Sequence, residues 1–212
     1  IPFRDNAKLR QVVGEVRRDV RLWTFWKCAN VMAIDRMGYT DHGPTHVKIV
    51  ANSALKILRI LVDNKVVPSI VKHYGMKNED AEAVVVLGSI FHDLGMTVTR
   101  SEHERFSALL ALDFIEKFLR TTHSEEERTI ICSEVLHAIV SHESPIKPLT
   151  VEAGIVRIAD ALEAAPSKPV EVMDKMVLVA YEVMDAHGYP VSHNADVGMK
   201  APIRAAMEVG RG

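Results

Sequence analysis

Apolar residues recur three and four positions apart along nearly the whole chain, and strict alternation over the length of a strand is hard to find. Ala51, Ala54, Leu55, Leu58, Leu61 and Val62 form one such series, and at 3.6 residues per turn they share a single helical face. Helices patterned this way bury their stripes against one another, which predicts an all-α bundle. With 212 residues, 48% of them hydrophobic, the chain can build one sizeable core and is read as a single domain. The periodicity places helices near 6–36, 44–64, 66–74, 79–94, 102–120, 125–142, 150–163 and 170–187. Gly43-Pro44, Asn78-Glu79-Asp80, Gly95, Pro145 and Pro148 punctuate them. Three regions follow: an N-terminal helix packing on the bundle (1–40), a helical core (41–187), and a loose C-terminal tail (188–212) where the periodicity fails.

The charge balance, 26 basic against 28 acidic residues for a formal net charge of -2, offers no global basic field for nucleic acid or an anionic membrane. No apolar stretch approaches the ~20 residues that span a bilayer. Cys28 and Cys132 lack motif spacing and fall in apolar helical runs, so they read as packing residues. With no cationic, apolar leader opening the chain, a soluble protein of the reducing cytoplasm is expected. Trp23, Phe25 and Trp26 on the long first helix are expected to pack on the core, a homodimer contact being the other use for that face.

Ten histidines are present. His73, His123, His187 and His193 fall near helix ends or loops among polar residues and read as solvated surface. The other six keep company with acids: His42 and His46 in Asp41–His46, His92 beside Asp93, His103 in Ser101–Glu104, and His137 and His142 in Leu136–Glu143. His92-Asp93 ends the apolar run Ala83–Phe91. An ionised Asp93 emerging there carries a large desolvation cost unless a cation or a set of donors meets it. A divalent metal meets that need, since neutral imidazole and carboxylate together suit such ions, and Gly95 lets the chain turn just beyond. The plainer alternative is an ordinary helix end, with His92 capping carbonyls and Asp93 held by an arginine.

The wider order favours the metal. His46 at a helix start, then His92-Asp93, then His103 and His142, then Asp160 within Arg157-Ile158-Ala159-Asp160-Ala161-Leu162 resemble the HD superfamily of metal-dependent phosphohydrolases. The resemblance spans about residues 40–163, and Asp41–His46 with Thr150–Gly154 looks most like an archaeal group of HD proteins. It implies an HD-type helical bundle in which His46, His92, Asp93 and Asp160 ligate a divalent ion. His103 and His142 match positions that hold a second ion in the HD-type diadenosine tetraphosphatases and the HD-GYP phosphodiesterases, with Asp93 as the bridge. One or two ions of the Fe, Mn, Zn, Ni, Co or Mg kind are thus expected.

Other residues are weighed beside these. Pro44 fits the first helical position and leaves His42 outside the helix that carries His46, as a supporting group or a loop residue. His137 lies about 140° around a helix from His142 and is held in reserve. Apolar neighbours on both sides of Asp160 favour a ligand over an ion pair with Arg157. Gly188-Tyr189-Pro190 repeats the HD-GYP triplet but follows Asp160, the wrong order, and reads as a turn.

The function these residues imply is hydrolysis of a phosphoester or phosphoanhydride, of a nucleotide or related small molecule, by a metal-activated water. Asp93 and Arg100 are the expected catalytic residues, Arg100 and Lys48 being cations near enough in sequence to clamp phosphate. The alternative is a non-catalytic, metal-stabilised HD module that binds a nucleotide or a protein partner. Glu163–Pro169 departs from the continuation usual in the archaeal group, and no nucleic-acid reading motif is present.

Overall fold

The computed structural model describes residues 1–143 and 145–163. Its axis is α5 (Asn78–Phe91), in which every residue from Ala83 to Phe91 is buried. A helix without a polar face has to be surrounded. Helices α3 (Pro44–Asp63), α7 (Glu125–Val140) and α8 (Val151–Glu163) pack directly on it, with α1 (Ala7–Arg18), α4 (Ser69–Tyr74) and α6 (His103–Leu119) touching it more lightly. Together with α2 (Val20–Asn30) these make eight α-helices, with no strand among the described residues. The protein is an all-α, single-domain helical bundle. No helix among the described residues is long and apolar enough to cross a membrane.

The N-terminal region differs from the single helix 6–36 expected above. Asp19 takes extended backbone (φ -80, ψ 100) and its carboxylate accepts the Leu22 amide at 2.8 Å, which caps α2 and ends α1. Lys117 Nζ donates to the same carboxylate at 2.6 Å. Periodicity alone hides such a break, because a capping aspartate sits as easily in a helical pattern as between two helices. Beyond α2 the chain widens into a π-helical turn, Val31–Arg36, and stops at Gly38 (φ +70). Leu22, Trp26 and Ala29 are the buried stripe of α2. Cys28 lies off that stripe and is exposed, not packed as expected, and Trp23 remains 44% exposed while Trp26 is buried. Leu9, Val12, Val13, Val16, Leu22 and Trp26 share one core with α3 and α5. The expected helix 170–187 and tail 188–212, with His187, His193 and Gly188-Tyr189-Pro190, lie outside the described residues.

After Phe91 the chain turns through His92 and Asp93 into a 3-10 turn, Leu94–Thr97, which lies flat on the start of α6. Gly95 makes this approach possible: a Cβ there would sit 2.0 Å from the His103 carbonyl oxygen and 2.6 Å from the Ser107 amide nitrogen. Its own amide donates to Ser107 Oγ at 2.7 Å. Glu102, just before α6, takes left-handed backbone (φ 57), a conformation that costs a non-glycine residue about 1–2 kcal/mol. The corner that delivers His103 is thus built at some expense in backbone energy.

Two polar clusters lie buried in the bundle. His123, expected on the surface, has a fully buried side chain whose Nε2 meets Asp80 Oδ1 at 3.1 Å. Asp80 also accepts the Lys77 amide and Lys8 Nζ, so although burial opposes its charge these partners hold its carboxyl down at about 2. Glu152 is fully buried and accepts the Ser69 and Ile70 amides, both at 3.1 Å, while Ser69 Oγ accepts the Val151 amide, so α4 and α8 cap one another. Glu134 on α7 is the weak member: its Oε2 is buried with no hydrogen-bond partner among the described residues. Burial first, and the nearby Glu152 second, push its carboxyl up from 4.5 to about 7. A carboxyl raised in the folded state stabilises fully below the unfolded value, and that contribution is lost as pH rises through the folded one. Glu134→Gln is therefore expected to flatten the fall in melting temperature between pH 5 and pH 8 and to be the more stable protein at pH 8. Parallel melting curves for parent and variant across that range would contradict it.

Candidate metal centre

Four histidines and two aspartates arrive at one point from five elements. His46 comes from the first turn of α3, where Pro44 starts the helix and aims the third residue inward. His92 and Asp93 come from the turn that ends α5, His103 from the first position of α6, His142 from just beyond α7, and Asp160 from α8. All are buried except Asp160, whose side chain is 23% exposed.

The outward nitrogen of each ring faces an acceptor. Nδ1 of His92 lies 2.8 Å from the Ser89 carbonyl, that of His142 2.6 Å from Ile139, that of His103 3.1 Å from Arg100, and that of His46 2.9 Å from Glu163 Oε2. A neutral imidazole that donates from Nδ1 presents a lone pair at Nε2. All four Nε2 atoms point into the centre: His46 and His92 approach to 3.0 Å, His103 and His142 to 3.2 Å. Only His103 has a second choice, because Arg100 Nη1 also lies 2.8 Å from its Nδ1. In that tautomer Nε2–H donates to Asp93 Oδ1 at 3.0 Å. Otherwise the centre is a buried set of acceptors facing acceptors, an arrangement that costs several kcal/mol unless cations or protons fill it.

Asp93 divides this set. Its Oδ2 lies 3.3 Å from His46 Nε2 and 3.2 Å from His92 Nε2, while its Oδ1 lies 3.0 Å from His103 Nε2 and 3.7 Å from His142 Nε2. Asp160 Oδ1 joins the first half, 3.4 Å from both His46 and His92. Arg157 instead donates to the Ile146 carbonyl, so its guanidinium is spoken for elsewhere. His46, His92 and Asp160 form one group close enough to hold an ion, His92, Asp93 and His142 a second, and His103, His142 and Glu143 a third. Imidazole nitrogen and carboxylate oxygen, buried and converging, are a donor set that fits a divalent transition metal.

The electrostatics carry the same information. Burial opposes the charged form of His46, yet Asp160 and Asp93 lift its pKa to about 9, and the same carboxylates raise His92 well above the ordinary imidazole value. Desolvation likewise opposes the charged forms of Asp93 and Asp160, yet the rings hold both carboxyls well below the usual range. His142, buried and beside His92, is pushed down. A field that draws protons onto rings draws cations as well, and the two compete. Metal uptake near pH 7 is accordingly expected to release protons, with affinity rising as pH rises. Calorimetric titration in buffers of differing ionisation enthalpy would read the release, and uptake with no net proton transfer would contradict it.

The centre opens to a cavity of about 150 Å³ lined also by Thr40, Asp41, His42, Arg100, Glu143 and Glu163. His42 stands at its edge, with Nδ1 2.7 Å from the Thr40 carbonyl and Nε2 4.0 Å from Asp93 Oδ2. Arg100 reaches the rim but donates two hydrogen bonds, 2.7 and 3.0 Å, to the Glu143 carboxylate. His137, held in reserve behind His142, is turned away, its Nε2 accepting the Leu149 amide at 2.8 Å, because five residues of helix rotate it off the face of His142. One expectation fails. Lys48, two positions and so about 200° beyond His46 on α3, is exposed and outside the lining. Sequence reasoning overlooked Glu163, although it follows Asp160 by one helical turn and hence shares its face, and Glu143, the neighbour of His142.

A family model of the HD domain matches residues 45–165, more than half of the chain. The chain belongs to the HD domain family. Members of this family are broadly metal-dependent phosphohydrolases, and His46, His92, Asp93, His103, His142 and Asp160 lie within the matched span. Over 154 residues the chain is 42% identical to an uncharacterised protein of Methanocaldococcus jannaschii, covering 73% of this chain and 60% of that one. It thus spans less than two thirds of that relative's length. No solved structure matches the chain.

Proposed function

We propose that this HD domain hydrolyses a phosphoester or phosphoanhydride of a small molecule, a nucleotide or a related compound, at a centre built for two divalent cations. The observation that carries the proposal is the division of Asp93: each of its oxygens faces a different pair of histidine Nε2 atoms. One bridging carboxylate with a ligand set on either side is what a two-cation phosphoryl centre requires. His46, His92 and Asp160 would complete one half, His103 and His142 the other. Bound there, divalent cations supply Lewis acidity, lowering the pKa of a coordinated water toward ~7 and offsetting charge on phosphoryl oxygens.

The chain's own residues do the rest. The carbonyls of Ser89, Arg100 and Ile139 and the Glu163 carboxylate fix the four rings, so little reorganisation remains when substrate arrives. Arg100, at the mouth, exchanges one acceptor for another: its planar guanidinium pairs with Glu143 in the free protein and would pair with a phosphate when one enters. A cavity of about 150 Å³ at the centre has room for a phosphoryl group. The test is a screen of phosphomonoesters, phosphodiesters and nucleotides with each of Mn, Fe, Co, Ni, Zn and Mg added to metal-free protein. Turnover that needs a metal and disappears in His103→Ala is expected, with a raised KM and smaller loss of kcat in Arg100→Ala. Metal uptake without turnover of any of these would instead favour the binding module.

A further inference from the structure

Of the four rings, three have a backbone carbonyl at their outward nitrogen, while His46 alone has a carboxylate oxygen within hydrogen-bond distance there, Glu163 Oε2 at 2.9 Å. A carboxylate behind an imidazole fixes its tautomer, holds its orientation and makes its far nitrogen a stronger donor. The ring so treated is 5% exposed, whereas the Glu163 side chain is 29% exposed and forms part of the cavity wall. Glu163 lies one turn after Asp160 on α8, so one face of that helix presents one carboxylate inward to the His46–His92 pair and a second to the rear of His46. The two halves of the centre therefore differ in charge. The His46 half has Asp160 and one oxygen of Asp93 before it and Glu163 behind it, none of them in an ion pair with a lysine or arginine among the described residues. The His103 half has the other oxygen of Asp93, with Glu104 and Glu143 3.6 and 3.8 Å from His103 Nδ1 and the Arg100 guanidinium set against them.

We propose that Glu163 is a positioning residue that makes the His46–His92–Asp160 half the tighter of the two cation sites. This rests on the two-cation reading given above. A cation offered to metal-free protein fills that half first, and the His103–His142 half exchanges more readily. Glu163 acts through His46 and touches no reacting atom, so its signature is metal affinity and the state of one ring.

The experiment is equilibrium dialysis of metal-free full chain against manganese, read by elemental analysis, for the parent, Glu163→Gln and Glu163→Ala. Glu163→Ala is expected to weaken the tighter site roughly 10–100-fold, the range for outer-shell partners of metal ligands, and to leave the weaker site unchanged. Glu163→Gln retains an amide oxygen that can accept from Nδ1–H and loses the charge, so its affinity should fall between the two. In metal-free protein the low-field Nδ1–H proton resonance of His46 should persist in the parent and in Glu163→Gln and vanish in Glu163→Ala. A merely structural role would lower both sites together and would not be relieved by glutamine. A parent that binds manganese and a Glu163→Ala that binds it equally well would overturn the role of Glu163 while leaving the metal reading intact. A parent that takes up no manganese would overturn both.

Discussion

Asp93→Ala is expected to empty both halves of the centre at once and abolish metal-dependent hydrolysis. The geometry makes this residue unlike its neighbours. Loss of His103 or His142 removes a ligand from one half, but the two oxygens of Asp93 contact four rings, two through each oxygen. Elemental analysis of purified protein is expected to fall from about two ions per chain to near none, a larger loss than the ~10–100-fold weakening that follows removal of an outer-shell partner. Asp93→Asn separates charge from shape. It keeps one acceptor oxygen and turns an NH2 group toward the other pair, so one half should keep weak affinity and the other lose it. Retention of two ions in Asp93→Ala would mean that the carboxylate is held there for the helix corner and not for cations.

The second large effect is expected at a residue that is not itself a ligand, Gly95. An alanine Cβ would stand 2.0 Å from the His103 carbonyl oxygen, well inside contact distance, and the atoms it meets are backbone that cannot rotate aside. Overpacking of a well-filled site typically costs about 1–3 kcal/mol, and this clash falls at the upper end because the turn and α6 must separate. His103 moves with α6. Gly95→Ala should therefore lower the urea midpoint clearly and, in the protein that remains folded, lose the ion bound by the His103–His142 half before the other. A Gly95→Ala protein with parental stability and two bound ions would contradict the account of this corner.

Much of the bundle is readable as period. The series in α3 and the all-apolar α5 could be placed because burial on one side, or on every side, writes itself into residue order. The failures have a common cause. Asp19 divides the first helix through a side-chain bond to Leu22, and His123 is drawn inward by Asp80, 43 positions away in sequence. Cys28 is exposed because it lies off the buried stripe of α2 formed by Leu22, Trp26 and Ala29. Each depends on what lies opposite in space, which periodicity does not encode. The candidate site shows the same division. His46, His92, Asp93, His103, His142 and Asp160 were singled out by their order and context, and they converge. The separate orientation of the two Asp93 oxygens, the carbonyls behind the rings and the carboxylate of Glu163 behind His46 depend on χ angles and on the meeting of five elements, so they emerge only from the folded chain.

One measurement bears on the shared carboxylate most directly: anomalous diffraction at the manganese edge from crystals of the parent grown with Mn(II). Two peaks are expected, one beside each oxygen of Asp93, with His46, His92 and Asp160 around the first and His103 and His142 around the second. A single peak, or a centre that stays empty at saturating manganese, would contradict a two-cation hydrolase and return His92-Asp93 to the status of a helix end held by ordinary hydrogen bonds.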